Sequence, residues 1–164
     1  MQISIQRTHL HLLVEADTKD KLAAGMQGFQ ISAARNINTV LGEDRYRRRR
    51  GRVFEDRYHL VVITTPTQTR RVLAYVMCNW RKHGEDRDSA SATWMVDPYS
   101  SGRSFPDWAE LDGNTIVTPG EPTCGPLVVS DPRSWLLRAG WKLAGTISAY
   151  DCPGHRQTTI VPRR

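Results

Sequence analysis

The sequence predicts an α+β domain followed by an irregular extension, on three observations. Residues 2–15 ("QISIQRTHLHLLVE") alternate with the two-residue period of a strand. Two later stretches carry apolar residues every three or four positions, the period of an amphipathic helix. From Asp97 to Pro132, proline, glycine and small polar residues dominate without a sustained period, as in a wrapping segment or linker. On this reading the chain divides into a domain over 1–90 and a Pro/Gly-rich extension over 91–164, with a short helix near 132–144. A length of 164 residues, 39% of them hydrophobic, is enough for one core.

Taken as one strand, residues 2–15 place Ile3, Ile5, Arg7, His9, His11 and Leu13 on one face and Leu10, Leu12 and Val14 on the other. His9 and His11 therefore project from the same side. Two imidazoles so placed can hold one metal ion, or they can be unrelated residues of a solvated face. A strand that begins at Met1 has nothing before it to pair with.

Next comes the first helix, over "DTKDKLAAGMQGFQISAARNINTVLG". Its stripe is Leu22, Met26, Phe29, Ala33, Ile37 and Val40, with Asp17 or Thr18 to cap its start and Gly42 its end. An arginine-rich loop follows: Arg45 to Arg52 holds six arginines, and Gly51 allows a tight turn. The β-branched residues from Val53 to Thr64 predict a second strand or hairpin. Thr65-Pro66-Thr67-Gln68 combines capping-box spacing with proline at the first helical position, and opens a second helix that runs to about Gly84. "DPRSWLLRAGWKL" predicts the short capped helix, and residues 151–164 a loose tail.

Composition excludes several classes. No apolar stretch approaches the roughly 20 residues of a membrane span, and no signal-peptide core is present, so a cytoplasmic protein with no membrane partner is expected. Cys78, Cys124 and Cys152 are odd in number, widely spaced and without a CxxC, which argues against both a disulfide framework and a zinc–cysteine site. The net charge of +6 is concentrated locally and points to a polyanion, most simply nucleic acid.

At 100° per residue the second helix turns Val72, Leu73, Val76, Met77 and Trp80 toward the sheet. Tyr75 and Asn79 form an i,i+4 pair at the edge of that arc, flanked by Arg71 and Lys82. A phenol and an amide oxygen thus emerge where helix meets sheet, beside basic groups. With His9 and His11, Asn79 would make a three-ligand site that leaves positions open for a phosphate oxygen, suited to Mg²⁺ or Mn²⁺ as Lewis acid. Tyr75 could then attack phosphorus directly. Set against this, Tyr75 can be a packing residue and Asn79 surface polarity. Tyr58 and His59 read as strand residues with satisfied polar tips, and His83 as favourable with the helix dipole and no more.

The segments "HLHLLVEA", "GMQGF", "GRVFEDRYH", "TPTQTRRVLAYVMCNWRKHG" and "SWLLRAGWKLAG" together resemble the single-tyrosine HUH transposases, most of all the bacterial REP-associated group. The resemblance covers residues 3–84, and 94–154 more loosely. It implies a ferredoxin-like antiparallel sheet with helices packed on one face, binding single-stranded or hairpin DNA. It implies that His9 and His11 hold a divalent metal, that Asn79 completes the site, and that Tyr75 cleaves the strand to leave a 5′-phosphotyrosine and a free 3′-OH. The family's strand and helix before the HUH strand have no counterpart here, so residues 1–90 would be an N-terminally truncated domain. Members include monomers and homodimers. Beside the proposed site, Arg47, Arg48, Arg49, Arg50, Arg52, Arg71 and Lys82 are the candidate DNA-phosphate contacts. The tryptophans read as core or clamp residues.

Two rival classes follow. One is a relative that grips single-stranded or hairpin DNA through its arginines without cutting. The other is a histidine-based phosphohydrolase, but a histidine triad wants a third alternating His where position 13 is Leu, and the paired His-x-Thr/Ser motifs of two-histidine phosphodiesterases are absent.

Overall fold

The computed structural model of the protein describes residues 1–42, 49–55, 57–87, 94–111 and 129–154. It is an α+β structure with a two-stranded antiparallel sheet and helices. The chain forms two compact units: Met1–Val14 with Ile63–Arg164, and Glu15–Val62. The division follows 14/15 and 62/63, where composition suggests 90/91. The reason is that the proline- and glycine-rich segment supplies core to the first unit.

Residues 2–15 form a hairpin, β1 (Gln2–Ile5) and β2 (Leu10–Leu13), and not the single strand that their alternation predicts. The register pairs Gln2 with Leu13, Ile3 with Leu12, Ser4 with His11 and Ile5 with Leu10. Paired residues share a face, so Ser4, His11 and Leu13 point one way and Ile3, Ile5, Leu10 and Leu12 the other. Ile3 and Ile5 are therefore not on the histidine face, and β2 does have a strand before it to pair with. The bend at Arg7–Thr8 lacks the Asn-Gly or Gly-Gly signature of a tight hairpin, and alternation continues across it, which hides the reversal.

α2 (Pro66–Lys82) packs on the face of Leu13 and His11. Its start is the one the sequence predicts. Thr65 Oγ1 accepts from Gln68 N–H at 3.2 Å, and Gln68 Oε1 accepts from Thr65 N–H at 3.3 Å, so each satisfies a backbone donor that the helix leaves unpaired. Leu73, Val76, Met77 and Trp80 are buried, as are Thr69, Ala74, Cys78 and Asn79, so the covered face is wider than the predicted arc. Val96, Phe105, Trp108, Trp141, Ile147 and Ala149 complete this core.

The short C-terminal helix is present as α3 (Trp135–Arg138), capped by Ser134 and continued by a 3-10 turn over Gly140–Ala144. Gly140 is needed there. A Cβ at this position would lie 2.7 Å from the Trp135 ring. Trp80, Trp108 and Trp141 are core residues, whereas Trp135 keeps 59% of its surface exposed.

The second unit contains α1 (Lys19–Val40), capped at Thr18, whose Oγ1 accepts from Lys21 N–H. Leu22, Met26, Phe29, Ala33 and Ile37 are half-buried, and Val40, the last member of the predicted stripe, is exposed. The strand expected over Val53–Thr64 does not form among the described residues, and Leu60, Val61 and Val62 are exposed. β-Branched composition favours extended backbone, but a strand also needs a ladder partner. No helix among the described residues is long and apolar enough to cross a membrane.

Candidate metal centre

The hairpin and α2 bring His9, His11 and Tyr75 together within the first unit. Strand alternation turns both imidazoles to one side, and their Nε2 atoms lie 3.0 Å apart, within hydrogen-bond distance. Thr8 Oγ1 is 3.1 Å from His9 Nδ1 and orients that ring from its other nitrogen. One proton must lie between two nitrogens that share a hydrogen bond, and a metal ion would take its place.

The spacing suits a divalent ion. Bonds of about 2.1 Å at a right angle set two ligand atoms about 3.0 Å apart. Both rings must be neutral to ligate. Burial lowers the His11 pKa from its ordinary value, and the neighbouring His9, His83 and Lys82 push it the same way. His11 is thus biased toward the form that a metal requires.

Tyr75 is half-buried, with its ring edge-on to His11 at 4.9 Å between centroids. Lys82 Nζ stands 5.2 Å from the centre of the same ring. Asn79, one turn on from Tyr75, is 0% exposed, so it is not surface polarity. Neither its Oδ1 nor its Nδ2 has a hydrogen-bond partner. A buried unpaired amide costs about 1–3 kcal/mol, and such a group calls for an explanation. Among the described residues no group of three His, Cys, Asp or Glu side chains is arranged to hold a metal ion. A third protein ligand would have to be of another kind, and an amide oxygen is one.

His83 does more than meet the helix dipole. It is the C-cap of α2, two turns from Tyr75, and its ring lies 6.0 Å from that of His9. Helical spacing puts 75, 79 and 83 on one face and so makes His83 a neighbour of the Tyr75 edge. Its approach to His9 is a tertiary contact that spacing does not show. Ser4, Gln6 and Asp97, all buried beside the histidine hairpin, carry no such signal, because their approach depends on the reversal within 2–15.

The remaining candidates divide. Arg71 and Lys82 are exposed on α2. Arg49, Arg50 and Arg52 are exposed and belong to the second unit, where Gly51 takes a φ of 127°. Arg47 and Arg48 lie outside the described residues. Tyr58 and His59 are also exposed in the second unit, in no strand. By contrast, Arg70 and Arg81 are structural: Arg70 binds Thr146 O and Asp151, and Arg81 binds Ala149 O, Met95 O and Asp86. Cys78 is no nucleophile, since burial pushes its thiol up to about 12.

No family model, curated protein or solved structure matches the chain.

Proposed function

We propose that the protein is a metal-dependent DNA strand transferase of the single-tyrosine HUH type, with β1 and β2 as part of a ferredoxin-like sheet. One observation carries the reading: a tyrosine ring packs against one of two histidines whose Nε2 atoms are spaced for a single metal ion. A tyrosine that only filled space would not need convergent imidazole nitrogens beside it. The partner is single-stranded or hairpin DNA, the location cytoplasmic, and the chain acts as a monomer or a homodimer.

In this reading His9 and His11, with Asn79, would hold Mg²⁺ or Mn²⁺, and a bound ion would supply Lewis-acid polarisation of a phosphate. The Tyr75 phenol oxygen attacks phosphorus and loses its proton. The bond to the 3′ oxygen breaks, and that oxygen takes up a proton to leave as a 3′-OH. The product is a 5′-phosphotyrosine, and reversal of the same step rejoins the strand. Lys82 and Arg71 face the charge that builds on the phosphate. Arg47, Arg48, Arg49, Arg50 and Arg52 contribute phosphate contacts to the bound DNA. A fluorescent hairpin oligonucleotide incubated with Mn²⁺ should give a protein–DNA adduct resistant to denaturant. Equal adduct from Tyr75→Phe would remove the role given to Tyr75.

A further inference from the structure

Three polar side chains are buried at the base of the histidine hairpin, next to a core that could have been closed with apolar residues. Ser4 is 0%, Gln6 8% and Asp97 4% exposed. Burying a carboxylate is costly, and hydrogen bonds to its two oxygens offset part of that cost. Asp97 Oδ1 accepts from Tyr99 N–H at 2.8 Å, and Oδ2 faces Gln6 Nε2 at 3.4 Å. The Gln6 Nε2 group also lies 2.5 Å from Ser4 Oγ. Tyr99 C=O in turn accepts from Ile5 N–H at 2.8 Å, so the loop that Asp97 organises is tied to the edge of β1 away from β2.

This network reaches the histidines through the backbone. Gln6 N–H donates to His9 C=O at 2.9 Å, one step beyond the Ile5–Leu10 pair. In that register Gln6 stands opposite His9 and Ser4 opposite His11, all on the face that α2 covers. An ionised carboxylate only accepts, so the Gln6 amide must present its nitrogen to Asp97. Its Oε1 is left buried without a partner.

We propose that Asp97 and Gln6 are positioning residues for the His9–His11 pair: Asp97 fixes the Gln6 side chain, and Gln6 fixes the backbone from which His9 projects. The inference rests on the metal reading above. Without this layer the Arg7–Thr8 bend is held by one backbone bond, and the two Nε2 atoms lose the spacing that a single ion needs.

The test is titration of Mn²⁺ into the full chain without DNA, read by calorimetry or by the electron spin resonance of free Mn²⁺. Gln6→Ala and Asp97→Ala should each weaken binding by about tenfold, the lower end for groups that orient metal ligands. The double variant should be no weaker than the weaker single, because one residue acts through the other. Val96→Ala, which thins the adjacent core without touching a polar group, should lower the melting temperature and keep the affinity. Unchanged Mn²⁺ affinity in Gln6→Ala, or additive losses in the double variant, would overturn the proposal. If Asp97→Ala does not fold, Gln6→Ala decides alone. A wild-type chain that binds no Mn²⁺ would instead sink the metal reading.

Discussion

The ring of Tyr75 meets the imidazole of His11 edge-on, with planes at 75° and centroids 4.9 Å apart. An edge-on contact between π-systems needs the ring and not the hydroxyl. Tyr75→Phe should therefore leave the melting temperature and Mn²⁺ affinity close to wild type while removing the DNA adduct. Tyr75→Ala should lower all three. A Phe variant that melts several degrees lower would mean that the hydroxyl has a structural task.

Asn79 sets stability against function. Its unpaired amide penalises the metal-free fold, so Asn79→Leu, which keeps the branching and the number of heavy atoms, should raise stability to denaturant by on the order of 1–2 kcal/mol. The same change should weaken Mn²⁺ binding. Destabilisation by Leu would show that the amide is satisfied in the folded chain and is no ligand.

Asp97 predicts a pH dependence. Burial raises its carboxyl pKa from 3.8 to about 6. The folded state then holds the proton more tightly than the unfolded state. Its contribution is fully present below about pH 4 and is lost as pH rises through about 6. The loss is of order 3 kcal/mol, at about 1.4 kcal/mol per unit. Denaturant unfolding of wild type and Asp97→Asn between pH 4 and 7 should diverge by this trend. Parallel curves would mean that Asp97 titrates in its ordinary range.

The sequence is most informative where local chemistry decides structure. Thr65, Pro66 and Gln68 specify the start of α2, and Thr18 that of α1, because capping needs only neighbours in the chain. It is least informative where partners are distant. The hairpin is not legible since Arg7–Thr8 carries no turn signal, and Val53–Thr64 reads as a strand from composition alone. Alternation suffices to place His9 and His11 on one side, and helical spacing to place Tyr75 and Asn79 along one edge. The burial of Asn79, the approach of His83 to His9 and the Asp97–Gln6 layer depend on packing between segments far apart in sequence.

The arginine loop separates binding from chemistry. Replacing Arg47, Arg48, Arg49 and Arg50 with Ala should weaken hairpin binding across sequences. It should lower the slope of log affinity against log salt by about three, at roughly 0.7 for each phosphate no longer neutralised on single strands. Mn²⁺ affinity should not change. An unaltered slope would mark the run as a solvated loop. Kept binding with abolished cleavage would mean that it places the strand and does not hold it.

A covalent bond from Tyr75 to DNA lies at the centre of the proposed chemistry, and peptide mapping of the adduct tests it without intermediaries. Trypsin releases Val72–Arg81, in which Tyr75 is the sole tyrosine. After reaction with a hairpin oligonucleotide and Mn²⁺, then nuclease trimming, this peptide should carry a nucleotide 5′-phosphate on Tyr75. His9→Ala and His11→Ala should each abolish the mass shift. A nucleotide on any other peptide, or an unmodified Val72–Arg81 from DNA that has been cut, would contradict the assignment of Tyr75 as nucleophile.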